Sequence, residues 1–437
     1  MEGSGAQAPG AGGGPSGASV DDPLDDPLIV EIWTFGPGDH PFTRFGHDAI
    51  RIANRRTGLD VSYNFGTFAF GSADLLGDFL QGRLRYWLSA ASTRAMASLY
   101  RRENRTIEIQ RLALTPAQKR TLAEHLVVNA EPAHRDYRYD YFADNCSTRV
   151  RDALDAEGVL GGAVRASAHG PGQETLRGHA LRMTAEEPWL YLALLVVLGP
   201  STDRPIDAWA EAFLPERLQR MLRAVSVGGP GDPHGHPLVQ AELVSFRAAR
   251  APVPEHPPGW GGRFLAVGAG LGGMLWWLGT VGARAGVRGR PGRRRSVAVS
   301  ARIAYGVVCA VLGLLVGFVG SFLVGAWMFT PHAVVYRNQN ALLFAPFALA
   351  LGVLGIGVGF GRTGAARKAF GLAVAGGALG AVALGLKLLP AAVVAHQDNG
   401  ALIAAMLPLW AGLAAGARAL GGRPTDRPVT ARGGSST

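Results

Sequence analysis

From Phe264 onward the chain is dominated by long Gly, Ala, Leu and Val stretches almost free of charge, and this restricts the possible folds more than any other feature. A hydrocarbon core about 30 Å thick is crossed by roughly 20 apolar residues of helix, because backbone groups left unpaired in lipid have no water to bond. Five segments meet or approach that length: 264–283, 303–329, 341–360, 370–394 and 401–419. The fourth is the least regular, since Lys387 and Pro390 interrupt it; a Lys near a helix end can carry its ammonium to the interface. The residues before Phe264 hold nearly all of the acidic groups and read as a separate domain outside the bilayer.

The formal net charge is +10, and its placement matters more than its size. The stretch RAGVRGRPGRRRSVAVSAR between the first two apolar segments carries seven Arg and no acid. GRTGAARKA, between the third and fourth, and the tail after Ala417 are basic as well, so the positive charge falls on alternate loops. The intervening turns, TPHAVVYRNQN and AHQDNG, hold only Arg337 as a firm positive charge. By the positive-inside rule the Arg-rich loops and tail are cytoplasmic and the N-terminal domain is extracytoplasmic. An RNA-binding Arg stretch is the rival reading, and the alternation argues against it; no nucleic acid is expected as a partner. The opening MEGSGAQAPGAGGGPSGASV has neither a basic n-region nor an apolar h-region, so an exported domain here is expected to follow an upstream segment.

The chain divides into an unstructured Gly/Ala/Pro tail (1–27), an extracytoplasmic domain (28–225), a Pro-rich linker (226–262), membrane helices (263–420) and a basic cytoplasmic tail (421–437). The extracytoplasmic part is expected to be α+β. LIVEIWTFG is strand-like, and GHDAIRIANRRTGLDVSYNFGTFAF reads as two alternating strands joined by a polar loop. SADLLGDFLQG is helical in pattern up to Gly82, and NRTIEIQRLAL alternates as another strand. TPAQKRTLAEHLVVNAE places Thr115 as an N-cap and Pro116 at the first helical position. EPWLYLALLVVLG is too short to span a bilayer and reads as a buried core helix.

The chemistry converges on YFADNCSTRVRDALDAEG. Asp144 or Asn145 can cap a helix that starts at Cys146 and stops at Gly158. In the first turn, unpaired N–H groups and the positive end of the dipole favour a thiolate and can hold an oxyanion. Cys146, Val150, Ala153 and Leu154 share one helical face, directing the sulfur toward the core. The other cysteine, Cys309, lies in an apolar segment, so a disulfide between the two is not expected, and packing alone is the ordinary fate of a lone buried thiol. A nucleophilic thiol needs a base. His47 opens a strand, and if the hairpin pairs symmetrically about residues 56 and 57, His47, Ala49, Ser62, Asn64 and Gly66 line one small, polar face. Ile50, Ile52, Val61, Tyr63 and Phe65 then line the other, the core. A surface His at a strand end is the alternative. Zinc is not expected, because Cys146 has no second Cys nearby and no HExxH occurs.

The set FTRFGHDAIRI, YNFGTFAF, GRLRYWL, YDYFADNCSTRVRDAL and STDRPIDAWAEAFLPERL resembles the bacterial family built on the Lnb N-terminal periplasmic domain, named for lyso-form lipoprotein N-acyltransferase B. The resemblance covers about residues 28–225, and the polar turns of the membrane part resemble those of some members. It implies a permuted papain-like fold (NlpC/LRAT-like) followed by about five spans, with Cys146 as nucleophile, His47 as base and Asn64 orienting the imidazole. It further implies transfer of an acyl chain from the glyceryl sn-2 position of a diacylglyceryl lipoprotein to the α-amine of its N-terminal Cys, through a Cys146 thioester and without a cofactor or metal. Lipoproteins and membrane lipid are then the partners, and the location is the bacterial inner membrane.

Arg44, Tyr63, Arg85, Tyr86 and Asn145 are secondary candidates for touching the substrate, with core packing or solvation as the ordinary alternative. A cysteine hydrolase acting on peptidoglycan or phospholipid, or a non-catalytic lipid- or partner-binding membrane protein, fits the same residues. Oligomeric state is not legible in the sequence.

Overall fold

The computed structural model describes residues 26–68, 81–82, 85–228, 235–286 and 292–422. The tail before residue 26, the helical pattern before Gly82 and most of the basic C-terminal tail lie outside the described residues. Seven antiparallel strands form one sheet in the order β6-β4-β3-β2-β1-β5-β9. These are β1 (Leu28–Phe35), β2 (His47–Asn54), β3 (Leu59–Phe68), β4 (Arg85–Ser92), β5 (Ile107–Leu112), β6 (Asp136–Arg138) and β9 (Val239–Phe246). A small hairpin pairs β7 (Ser226–Val227) with β8 (His236–Pro237).

The β2–β3 hairpin has the symmetric register, with Ile50 opposite Tyr63 and Ile52 opposite Val61. Its turn is held locally, as Asn54 Oδ1 accepts from Arg56 N (2.9 Å) and Thr57 N (3.1 Å). Strand alternation then divides the side chains between two faces. Ile50, Ile52, Tyr63 and Phe65 are buried with Leu122 and Leu126 of helix Pro116–Ala130 and with Cys146, Val150 and Leu154 of helix Cys146–Asp155. On the opposite face Trp33, Phe35, Ala49 and Ile107 pack against Met96 and Ala97 of helix Thr93–Arg102. Each fully buried Ile or Leu contributes roughly 1.5–3 kcal/mol, and the opposed faces make a one-residue slip of register prohibitive. Thr115 caps helix Pro116–Ala130 through a capping box with Gln118, and Pro116 stands in its first turn.

Residues 239–246, expected inside a Pro-rich linker, are instead the edge strand of the sheet. Their alternating VQAELVSF pattern pairs with β5, and the prolines stand outside the strand, where no ladder N–H is needed.

Among the described residues four helices are long and apolar enough to cross a membrane: Gly261–Ala283, Gly292–Phe329, Thr363–Leu388 and Gly400–Leu420. The fifth candidate is a broken pair, Ala333–Leu342 and Pro346–Gly359, bent by 58°. Three expected boundaries change. The second helix begins at Gly292 and takes in the RRR run. The fourth runs from Thr363 and ends before Pro390, which cannot continue it. In the third only Leu349–Gly359 is regular α-helix, because Pro346 and the side-chain amides of Asn338, Gln339 and Asn340 break the helical hydrogen bonding.

The spans approach through glycine. A Cβ on Gly279 would lie 2.3 Å from Gly416 Cα, one on Gly268 2.1 Å from Ala405 O, and one on Gly320 1.5 Å from Phe344 O. Contacts of this kind supply the packing that lipid cannot drive. The Gly268–Ala405 and Gly279–Gly416 contacts advance together, so the first and last spans run parallel. Arg302, Arg362 and Arg367 gather at the end of the bundle remote from the sheet domain.

Helix Pro188–Val197 joins the two parts. The expectation of a buried core helix is met on part of it only, since Trp189 and Leu192 are exposed. Tyr191, Leu195 and Val196 belong to the buried cluster of the bundle. Its C-terminal carbonyls are taken by side-chain amides: from the broken element, Asn340 Nδ2 donates to Leu195 O and Val196 O (3.1 and 2.9 Å) and Asn338 Nδ2 to Val197 O (2.8 Å), and from the turn before the last span Gln397 Nε2 donates to Leu198 O (3.1 Å). Arg177, buried, adds bonds to Leu195 O and Leu198 O and an ion pair with Asp203.

Candidate active site

Helix Cys146–Asp155 starts where Asn145 Oδ1 accepts from Ser147 N and Thr148 N, both at 2.9 Å. Asn145 Nδ2 donates to Tyr141 O and Phe213 O, also at 2.9 Å. The whole amide is thereby committed to the cap, and Asn145 builds the site without facing a substrate. The Cys146 N–H, at the head of the helix, is left without a described hydrogen bond.

Cys146 is 7% exposed. Its thiol is pushed up to about 11, first by burial and then by the Asp48 carboxyl; backbone N–H groups of Asp48 and Ser147 and the Tyr139 hydroxyl act in the opposite sense. The expectation of a thiolate therefore fails at this site in its resting state. The dipole of one helix end is worth at most about 2 kcal/mol, less than the desolvation of a sulfur anion buried among side chains.

Asp48 projects from β2 toward the same helix. Its Oδ1 accepts from Thr34 Oγ1 (2.8 Å), and its Oδ2 lies 2.9 Å from Ser147 Oγ, which is also 2.8 Å from Ala212 O. Burial raises this carboxyl to about 7 against those hydrogen bonds.

His47 and Asn64 share the opposite face, and the structure brings them together. His47 Nε2 lies 3.2 Å from Asn64 Oδ1, while Asn64 Nδ2 donates to Ser62 O (3.1 Å). The second contact fixes the first: with its NH₂ given to a carbonyl, Asn64 presents oxygen to the ring. Nε2 then carries the hydrogen and Nδ1 the lone pair. The ring stacks near Phe35 and Tyr100, each centroid 6.1 Å away. Burial, then the Arg105 charge, lowers the imidazole to about 4, against the bond from Asn64. Thiol and imidazole are thus both neutral.

Among the described residues no hydrogen bond joins Cys146 to His47. They stand on opposite faces of the sheet, and β3 is irregular between Asn64 and Thr67. Gly66 there has φ +83°, and a Cβ on it would lie 3.0 Å from Tyr139 Cε2, 3.6 Å from Cys146 Cβ and 3.8 Å from Tyr137 Oη. Glycine keeps the strand backbone against the thiol.

Aromatic rings continue outward from Cys146. Tyr139 stacks on Tyr86 (4.3 Å), Tyr86 meets Phe68 (5.2 Å), and Phe68 meets the exposed Phe42 (5.5 Å). Tyr86 therefore stands in this row, whereas Tyr63 is core. Arg44 is buried, bonding Met183 O and pairing with Glu186, so it ties the domain together away from the thiol; Arg85 is exposed at the start of β4. Tyr137, Tyr139, Tyr100 and Asp48 were not anticipated. Of these only the Tyr-x-Tyr-x-Tyr run ahead of Cys146 leaves a mark in the sequence. His179, buried between Glu211 (2.7 Å) and Arg182 (2.9 Å), was also missed and is part of a structural ion network.

These features define a multi-pass membrane protein whose mixed α/β domain holds a buried thiol at a helix head on one face of its sheet and an Asn-oriented imidazole on the other. Residues 23–171 match the family described as the Lnb N-terminal periplasmic domain, bearing out the resemblance seen in the motifs. The matched segment contains His47, Asn64 and Cys146. No curated protein and no solved structure matches the chain.

Proposed function

We propose that the protein is a thiol acyltransferase of permuted papain-like design, moving an acyl chain from the glyceryl group of a diacylglyceryl lipoprotein to the α-amine of its N-terminal Cys at the extracytoplasmic surface of the inner membrane. The observation that carries the reading is the His47–Asn64 contact, which fixes Nε2 as the donor and leaves Nδ1 as the base, on a strand end in the same hairpin whose Gly66 lies against Cys146. The periplasmic type of the matched domain and the Arg-rich far end of the bundle support the orientation.

As Cys146 Sγ attacks the ester carbonyl, His47 Nδ1 takes its proton and a C–S bond forms. The Cys146 N–H and Tyr137 Oη would donate to the oxyanion; the latter is buried without a hydrogen bond of ordinary geometry. Collapse breaks the C–O bond, and His47 returns the proton to the departing glyceryl oxygen. The α-amine then attacks the thioester, His47 takes its proton, the C–S bond breaks, and the thiol is restored with an amide formed. A neutral pair suits this sequence, since the proton moves only with the attack, and catalytic hydrogen bonds commonly tighten in the substrate complex.

Mass spectrometry of lipoprotein N-termini from a host lacking other N-acyltransferases tests the reading. Expression of the chain should yield N-acylated lyso-form lipoprotein, and Cys146→Ser and His47→Ala should each abolish it while remaining folded in the membrane. Free α-amines despite good expression refute transfer, and release of fatty acid without amide makes the enzyme a hydrolase.

A further inference from the structure

Helix Pro188–Val197, PWLYLALLVV, contains no charged or amide side chain. Ten residues rise about 15 Å, half of a bilayer core, so the helix cannot cross. A helix apolar all round is stable only when covered all round. The bundle covers Tyr191, Leu195 and Val196. Trp189 (59% exposed), Leu192 (44%) and Ala193, at i, i+3 and i+4, share one face that is open over the first turns and covered only where it reaches Val196 at i+7.

The depth of the helix decides what covers that face. Tyr191 packs its ring against that of Trp260 (centroids 4.3 Å apart, planes tilted by 41°), the residue just before span Gly261–Ala283. The carbonyl end is held by Asn340, whose Oδ1 accepts from Asn399 Nδ2 (2.9 Å), the residue just before span Gly400–Leu420. The helix therefore lies across the heads of two parallel spans, at the edge of the apolar belt. Its last carbonyls are all engaged by amides or Arg177, which burial in a membrane interface demands. Trp is the side chain suited to that boundary.

We propose that Pro188–Val197 is an in-plane membrane helix whose Trp189, Leu192 and Ala193 lie in the boundary between lipid headgroups and acyl chains, fixing the height of the sheet domain above the bilayer. This holds whether or not Cys146 is a nucleophile.

The test places a spin label at Leu192→Cys or, as control, at the exposed Val128→Cys, in a Cys146→Ser, Cys309→Ala protein in lipid nanodiscs. At residue 192 collisions with oxygen should exceed those with a water-soluble nickel chelate; at 128 the order should reverse. A label at 192 as open to the chelate as at 128 overturns the proposal. So does one shielded from both reagents, which would mean that protein covers the face. Trp189→Phe supplies a gentler second reading: in brominated lipid the quenchable part of the Trp fluorescence should fall, and an unchanged fraction counts against lipid contact.

Discussion

Replacing Asp48 with Asn should stabilise the domain, and only above a definite pH. The buried Asp48 carboxyl titrates at about 7, against an ordinary 3.8. Below 3.8 it is protonated folded and unfolded, and stability is unaffected. Between 3.8 and 7 the unfolded chain releases the proton while the folded one keeps it, so each pH unit removes about 1.4 kcal/mol. Above 7 the loss levels off on the order of 4 kcal/mol. Asn fits the same contacts: Oδ1 accepts from Thr34 Oγ1, Nδ2 donates to Ser147 Oγ, and Ser147 donates to Ala212 O. Asp48→Asn should therefore unfold close to wild type near pH 4 and roughly 10 °C higher at pH 8.5, read by thermal melts in nanodiscs. It should also ease deprotonation of Cys146, since the Asp48 charge is one cause of the raised thiol, and quicken iodoacetamide labelling. An equal difference between the two proteins at both pH values would show that Asp48 is not held protonated by burial.

Asn64→Asp places a carboxylate 3.2 Å from His47; with the imidazole lowered to about 4 by burial, an acid limb of kcat/KM is expected there in the wild type and should rise by roughly 1–3 units in the variant, and an unmoved limb removes His47 as the base. Asn145→Ala deletes an N-cap and leaves Tyr141 O and Phe213 O unpaired, a loss of roughly 2–4 kcal/mol, visible as earlier unfolding even in a Cys146→Ser background. Folded-state His47 titrates at about 4 against an ordinary 6.5, so its contribution to stability is present above pH 6.5 and lost progressively, by roughly 3 kcal/mol, as pH falls toward 4; acid melts of His47→Gln should lack that part of the decline. Gly320→Leu should prevent the broken element from seating, since Phe344 O occupies the space of any Cβ, and the variant should be lost from the monodisperse fraction in size-exclusion chromatography.

What the sequence made legible is what local pattern controls. The hairpin register follows from apolar alternation on two sides of one polar loop, and the His47–Asn64 neighbourhood follows from that register. Thr115 and Pro116 mark a helix start within four residues, and the spacing of Cys146, Val150 and Leu154 places the thiol side of its helix. The missing parts depend on partners far along the chain. Strand β9 exists because β5, some 130 residues earlier, offers an edge, and its flanking prolines masked it. The break in the third membrane element has Pro346 as a local mark, but the amides of Asn338 and Asn340 beside it find their partners in the carbonyls of Leu195 to Leu198, out of reach of any window of sequence. The ionisation of Cys146 was misjudged because dipole and cap are local while burial is not.

The parallel contact between the first and last spans bears on how the protein is made. Span Gly261–Ala283 enters the membrane early in synthesis, yet Gly268, Gly272 and Gly279 fit against Ala405, Gly412 and Gly416, which leave the ribosome well over a hundred residues later. Until then its glycine face has only lipid beside it. The contact that joins the first span to the last is therefore made late, after the intervening spans have been synthesised, and a chain truncated before Gly400 would carry its first span with that glycine face unsealed.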